Sequence, residues 1–131
     1  MSELKTYIEQ LKEKYGDSAV TAERSPGADA PDVPEPLREF YTLYESMALP
    51  FGEIYRADDR EAQQYFRENG WFCFGFDGYF SYWLCSFEPD ADGLWLTSWD
   101  HDSDTDIEAV WDDLTSFLRA MEEAAEELGN I

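Results

Sequence analysis

Hydrophobic positions fall into helical spacing at both ends of the chain and into strand-like runs between them. Leu4, Tyr7, Ile8, Leu11 and Tyr15 recur every three or four residues and so share one helical face, with Ser2 suited to the N-cap and Gly16 to the stop. Residues 16–35 carry Pro26, Gly27, Pro31 and Pro34 among small polar residues, which reads as a loop wrapping the surface. A second helix is expected from Pro36, with Leu37, Phe40, Tyr41 and Tyr44 inward, until Pro50 stops it. Phe51–Tyr55 allows a short strand, and Asp58–Glu68 a third helix with Ala62, Tyr65 and Phe66 inward, ended by Asn69-Gly70. The period then changes. Trp71–Phe76, Tyr79–Phe87 and Leu94–Trp99 are aromatic and aliphatic runs separated by Asp77-Gly78 and by Pro89–Gly93, the pattern of a three-stranded antiparallel meander. From Asp106 the helical period returns through Ile107, Val110, Trp111, Leu114, Phe117, Leu118, Met121, Ala125 and Leu128, and Thr105 with Glu108 matches a capping box.

This order predicts an α+β fold: an antiparallel sheet, a three-stranded meander plus a short extra strand, packed by N-terminal helices and a long C-terminal helix. One domain over residues 1–131 is expected, with an N-terminal helix at 1–15, the loop at 16–35 and the main α+β body at 36–131. A two-residue turn at Asp77-Gly78 would set Phe76 opposite Tyr79 and place Phe72, Phe74, Phe76, Trp83, Cys85 and Phe87 on one face, with Leu94 and Leu96 beside them. That set reads as the core. The other face would hold Trp71, Cys73, Gly75, Phe80, Tyr82 and Leu84, with Trp95, Thr97 and Trp99. Trp and Tyr combine large rigid area with a polar tip, so this face is either a binding surface or is covered by the N-terminal helices. Cys73 and Cys85 fall on opposite faces in this register, whereas a three-residue turn would put them on one face; two free thiols are expected.

Charge narrows the class of partner. Thirty acidic residues against nine basic ones give a net charge of -21, which repels phosphate backbones and anionic headgroups and attracts basic proteins. Neither direct nucleic-acid binding nor membrane binding is expected, although solubility alone would account for acidity equally well. Residues 88–131 hold fourteen acidic side chains and one basic residue, Arg119. Glu122, Glu123, Glu126 and Glu127 crowd the end of the last helix, where the macrodipole disfavours anions by about 0.3–1 kcal/mol each. Helix stability does not explain them at this level. The start Met-Ser-Glu-Leu-Lys has no apolar run of the signal-peptide kind, and two cysteines make no disulfide framework, so the expected compartment is the cytoplasm.

Catalytic chemistry finds little support. Asp100, Asp102, Asp104 and Asp106 alternate as in calcium loops, but an EF-hand begun at Asp100 would need Gly and Glu where Thr105 and Trp111 stand. His101 is the single histidine, and no nucleophile elbow, phosphate loop or dinucleotide fingerprint accompanies it. The expectation is a binding protein without enzymatic activity, cofactor or metal.

Pro36-Leu37-Arg38-Glu39-Phe40-Tyr41, Trp71-Phe72-Cys73-Phe74-Gly75-Phe76-Asp77-Gly78, Tyr82-Trp83-Leu84 and Leu114-Thr115-Ser116-Phe117-Leu118 follow one another in an order that resembles the SUKH superfamily over about residues 34–121. These are bacterial immunity proteins related to fungal cell-wall-synthesis regulators. The resemblance implies helices on one side of an antiparallel sheet and a shared partner-binding surface. It also implies an antidote that binds a cognate polymorphic toxin, often a nuclease, whose basic cleft would match an acidic chain. On that reading Trp71, Tyr82, Trp95 and Trp99 are the anchors and Asp100, His101, Asp102, Asp104 and Asp106 the rim, with a monomer the favoured state. The alternative is a regulatory scaffold that binds a cellular protein or peptide through the same face.

Overall fold

The computed structural model describes residues 2–24, 32–100, 102 and 106–129, the side chains of Arg60, Ala62 and Tyr65 excepted. Helix α1 (Glu3–Tyr15) begins where Ser2 Oγ accepts the Lys5 N–H at 3.1 Å and ends at Gly16, whose φ of +57° suits a residue without a Cβ. Its buried residues are Leu4, Tyr7, Ile8 and Leu11, the face that the spacing predicts. Strand β1 (Val20–Glu23) follows, inside the segment expected to be loop. Helix α2 (Glu35–Leu43) carries Pro36 in its first turn and buries Leu37, Phe40 and Tyr41.

Tyr44 does not extend that helix. It opens strand β2 (Tyr44–Leu49), which pairs with β1 (Val20 opposite Ala48) and with β3 (Gly52–Ile54; Leu49 opposite Gly52). Helix α3 (Arg60–Phe66) runs through a 3₁₀ turn to Gly70, and buried Phe66 faces inward as predicted; Ala62 and Tyr65 lie outside the described side chains. Strands β4 (Trp71–Phe76), β5 (Ser81–Ser86) and β6 (Leu96–Asp100) complete one antiparallel sheet in the order β1-β2-β3-β4-β5-β6. The sheet thus has six strands where the sequence predicts a meander of three and a short fourth. β1 and β2 escape a periodicity reading because polar and apolar positions mix along them, and pairing with their neighbours decides their state.

The last helix also begins later than the pattern predicts. Helix α4 (Leu114–Glu127) is capped by Asp113, whose side chain accepts the Ser116 N–H at 2.7 Å. Thr105 of the expected capping box lies outside the described residues, and Glu108 is in an extended segment. There Trp111 bridges to Leu96, with the Val110 and Trp111 N–H groups both donating to the Leu96 carbonyl at 2.8 and 3.0 Å. Residues 107–111 mimic helical spacing by coincidence. Ile107 and Trp111 pack on different parts of the protein, and Val110 is 53% exposed.

The main core lies between α1, α2 and α4 and the sheet face formed by Phe72, Phe74, Trp83, Cys85 and Leu96. Helix α3 packs on the reverse face, where Phe66 meets Cys73 and Leu84. Helices therefore cover both sides of the sheet and not one. Cys73 and Cys85 are free, buried and on opposite faces as predicted. Burial pushes each thiol up to about 12.

The glutamates of α4 have a structural partner in α1. Tyr7 donates to Glu122 Oε1 at 2.9 Å, Tyr15 to Glu122 Oε2 at 2.5 Å, and Lys14 Nζ to Glu122 and Glu126 at 3.1 and 2.8 Å. Tertiary contacts thus account for Glu122 and Glu126, which local helix energetics leave unexplained. Burial alone would raise the Glu122 pKa, but the hydrogen bonds from Tyr15, Lys14 and Tyr7 outweigh it and hold the carboxyl below its ordinary value. A depressed carboxylate pKa adds stability above the unfolded value, near 4.5, and that stability is lost as pH falls through the folded value. Glu122→Gln is expected to cost about 1–2 kcal/mol at neutral pH. Urea unfolding should show that difference shrinking below about pH 4; a difference that stays constant there would mean that the charge of Glu122 is not what binds α1 to α4.

Candidate functional surface

The reverse face of the sheet is the candidate surface, because it carries the aromatic residues that the main core does not use. In-register pairs bring Cys73 against Leu84, Leu84 against Thr97 and Tyr82 against Trp99. The hairpin connection is longer than two residues, and Phe76 pairs with Tyr82, not with Tyr79. Phe72 nevertheless pairs with Cys85, two residues from the predicted partner, and a shift of two leaves the faces of most positions unchanged. A bulge between Cys73 and Gly75 changes the end of β4. It turns Gly75 to the core side, against Trp83, and Phe76 to the reverse face, where its ring lies 4.9 Å from that of Tyr82. Phe76 and Gly75 therefore exchange the faces that alternation predicts.

Phe66 of α3 sits over the middle of this face, 5.2 Å from the Tyr82 ring and 6.0 Å from that of Trp99. Trp71, Tyr82 and Trp99 are consequently half-buried. Trp95 does not join them. It precedes β6, where its N–H and that of Leu96 both donate to the Trp111 carbonyl, so strand alternation does not reach it, and its ring packs against the main core. Phe87 and Leu94 also stand outside the strands, Phe87 39% exposed and Leu94 half-buried, so the predicted core face stops at Cys85 and Leu96. Of the predicted rim, Asp100, Asp102 and Asp106 are exposed, and Asp100 Oδ1 accepts the Asp102 N–H at 2.8 Å. His101 and Asp104 lie outside the described residues.

Helix α3 divides the face into two ends. At one end a groove of about 500 Å³ has Trp71 and Ile107 in its lining, with Glu88, Asp90, Asp92 and Glu108 around them. None of the described residues lining it is basic. Asp90 also builds the loop, since its Oδ1 accepts the N–H groups of Asp92 and Leu94, both at 2.9 Å. Sequence reasoning missed these four carboxylates because Pro89–Gly93 reads as a turn, and the approach of residues 107–109 to it depends on the Trp111–Leu96 bridge. At the other end stands the β4–β5 loop, with Tyr79 and Phe80 each 56% exposed. Phe80 was expected on the reverse face of a strand, but it lies in this loop because β5 starts at Ser81.

Among the described residues, no three His, Cys, Asp or Glu side chains are placed to hold a metal ion, and no helix is long and apolar enough to cross a membrane. The surface offers carboxylates, aromatic rings and backbone groups, which suit recognition of cationic groups. No family model, no curated protein and no solved structure matches this chain.

Proposed function

We propose that this chain is an immunity protein that neutralises a basic protein toxin, a nuclease, by occluding it with an acidic, aromatic surface. The observation that carries the reading is the groove of Trp71 and Ile107, edged by Glu88, Asp90, Asp92 and Glu108 with no basic residue among its described lining, on a chain of net charge -21. Such a surface meets a cleft that evolved to hold a polyanion: the carboxylates take the place of phosphates, and the half-buried indole supplies desolvated contact area. The resemblance of the Trp71–Gly78 and Leu114–Leu118 segments to the SUKH superfamily supports the same role. Binding accomplishes neutralisation here, and no catalytic step is proposed. Half-buried Trp71, Tyr82 and Trp99 contribute their exposed edges, and exposed Asp100, Asp102 and Asp106 extend the acidic field.

Co-expression with a toxin-domain gene lying immediately upstream in the source genome tests this. Growth should be restored, and the purified pair should associate more slowly as salt rises, because screening removes long-range steering. Unrelieved toxicity, or binding indifferent to salt, would turn the reading toward a regulatory scaffold whose acidity serves solubility.

A further inference from the structure

Tyr79 and Phe80 are neighbours in the β4–β5 loop, each 56% exposed, on a protein whose other described rings, Phe87 apart, are buried or half-buried. The loop that presents them is braced. Asp77 Oδ1 accepts the N–H groups of Tyr79, Phe80 and Ser81 at 2.8, 3.0 and 3.1 Å, and the Asp77 N–H donates to the Ser81 carbonyl at 3.0 Å. Gly78 takes the left-handed turn position at φ +86°. Tyr79 and Glu53 line a groove of about 430 Å³ with Leu49 and Pro50, and none of its described lining residues is basic.

We propose that this loop and groove form a preformed docking site for a lysine- or arginine-bearing segment of a protein partner. The exposed faces of Tyr79 and Phe80 receive the cationic side chain and its apolar stem, and Glu53, which lines the groove beside Tyr79, pairs with the charge. Bracing by Asp77 means that binding does not have to order the loop, so its contact area is not offset by lost loop entropy. Charge selects the occupant. A second copy of this chain, a nucleic acid and an anionic membrane would all be repelled by a net charge of -21, whereas a basic segment is attracted. The inference rests on the basic-partner reading above and moves its centre of contact from the half-buried tryptophans to the exposed loop.

Selection of a random peptide library against the full chain at low salt tests it without knowledge of the natural partner. The enriched peptides should carry Lys or Arg. Their affinity should fall at least about tenfold for the double variant Tyr79→Ser/Phe80→Ser, and measurably for Asp77→Ala, which keeps both rings but removes the brace. Val110→Ser, which removes an exposed apolar side chain elsewhere, should leave affinity unchanged, and unaltered circular dichroism would show that the loop variants fold. Basic peptides insensitive to the loop substitutions would overturn the docking site and leave the basic-partner reading standing. Enrichment of neutral or acidic peptides, or no enrichment, would overturn both.

Discussion

Replacing Gly75 by alanine should lower the stability of the folded chain by about 3 kcal/mol, the upper part of the range for overpacking a core. A Cβ at Gly75 would fall 2.7 Å from Trp83 Cε3 and closer still to the Glu53 carbonyl oxygen across the β3–β4 pairing. The backbone contact cannot be relieved by a side-chain rotation. Trp83 is fully buried and wedged against Phe74 and Phe117, with ring centroids at 6.2 and 5.5 Å, so the indole has little room to withdraw. Gly52 completes the slot: a Cβ there would meet the far edge of the same indole at 2.5 Å and the Phe76 carbonyl oxygen at 2.7 Å. Strands β3 and β4 thus pass the Trp83 ring because two glycines leave space for it. Urea unfolding of Gly75→Ala with and without Trp83→Phe separates the two clashes. The smaller ring should restore part of the loss and the Glu53 clash should keep the rest. A fully additive pair would show that the indole is not what excludes a side chain at this position.

Gln63→Ala is expected to cost about 2–3 kcal/mol, because it leaves two buried backbone groups without partners. Strand β3 ends at Ile54, with the Tyr55 N–H making one more bond to the Phe74 carbonyl at 2.8 Å, so β4 runs on toward Trp71 with β5 on one side and no strand on the other. Gln63 takes over at Cys73. Its amide N–H donates to the Cys73 carbonyl at 2.6 Å, and its amide oxygen accepts the Cys73 N–H at 3.0 Å, the pair of bonds that a neighbouring peptide would make. The side chain is 7% exposed, so water cannot readily replace it. Gln63→Glu should be nearly as damaging, since a carboxylate accepts from the N–H but faces the carbonyl oxygen with a second acceptor. Hydrogen exchange at the Cys73 amide gives the direct readout. Protection should fall in Gln63→Ala, which removes the acceptor of the Cys73 N–H; unchanged protection there would mean that the edge of β4 is closed by something other than α3.

These two sites show how far local pattern reaches in this chain. The face of α1, its Ser2 cap and its Gly16 stop are written in residue spacing because a helix closes its own hydrogen bonds and needs only one apolar stripe to dock. The aromatic runs of β4, β5 and β6, the short strand β3 and the separation of Cys73 from Cys85 are legible for a similar reason, since alternation survives a register shift of two. The acidity of the chain is a matter of counting side chains.

Tertiary structure decided the rest. Tyr44–Leu49 and Val20–Glu23 became strands because each completes the ladder of the other, and a backbone ladder leaves no mark in the side-chain pattern when the strands are short and mixed in polarity. The helical spacing of residues 107–111 was overruled by the Trp111–Leu96 bridge, whose strand partner lies far away in sequence. The bulge in β4 moved Phe76 to the reverse face, and Trp83 gave the reason for the glycines at 52 and 75 only once the strands lay side by side. Likewise Glu122, an unfavoured charge at a helix end when α4 is considered alone, acquired its purpose from Tyr7, Tyr15 and Lys14 on α1. Interactions that close within a few residues can be read from one dimension; those that need a partner distant along the chain exist only after folding has chosen it.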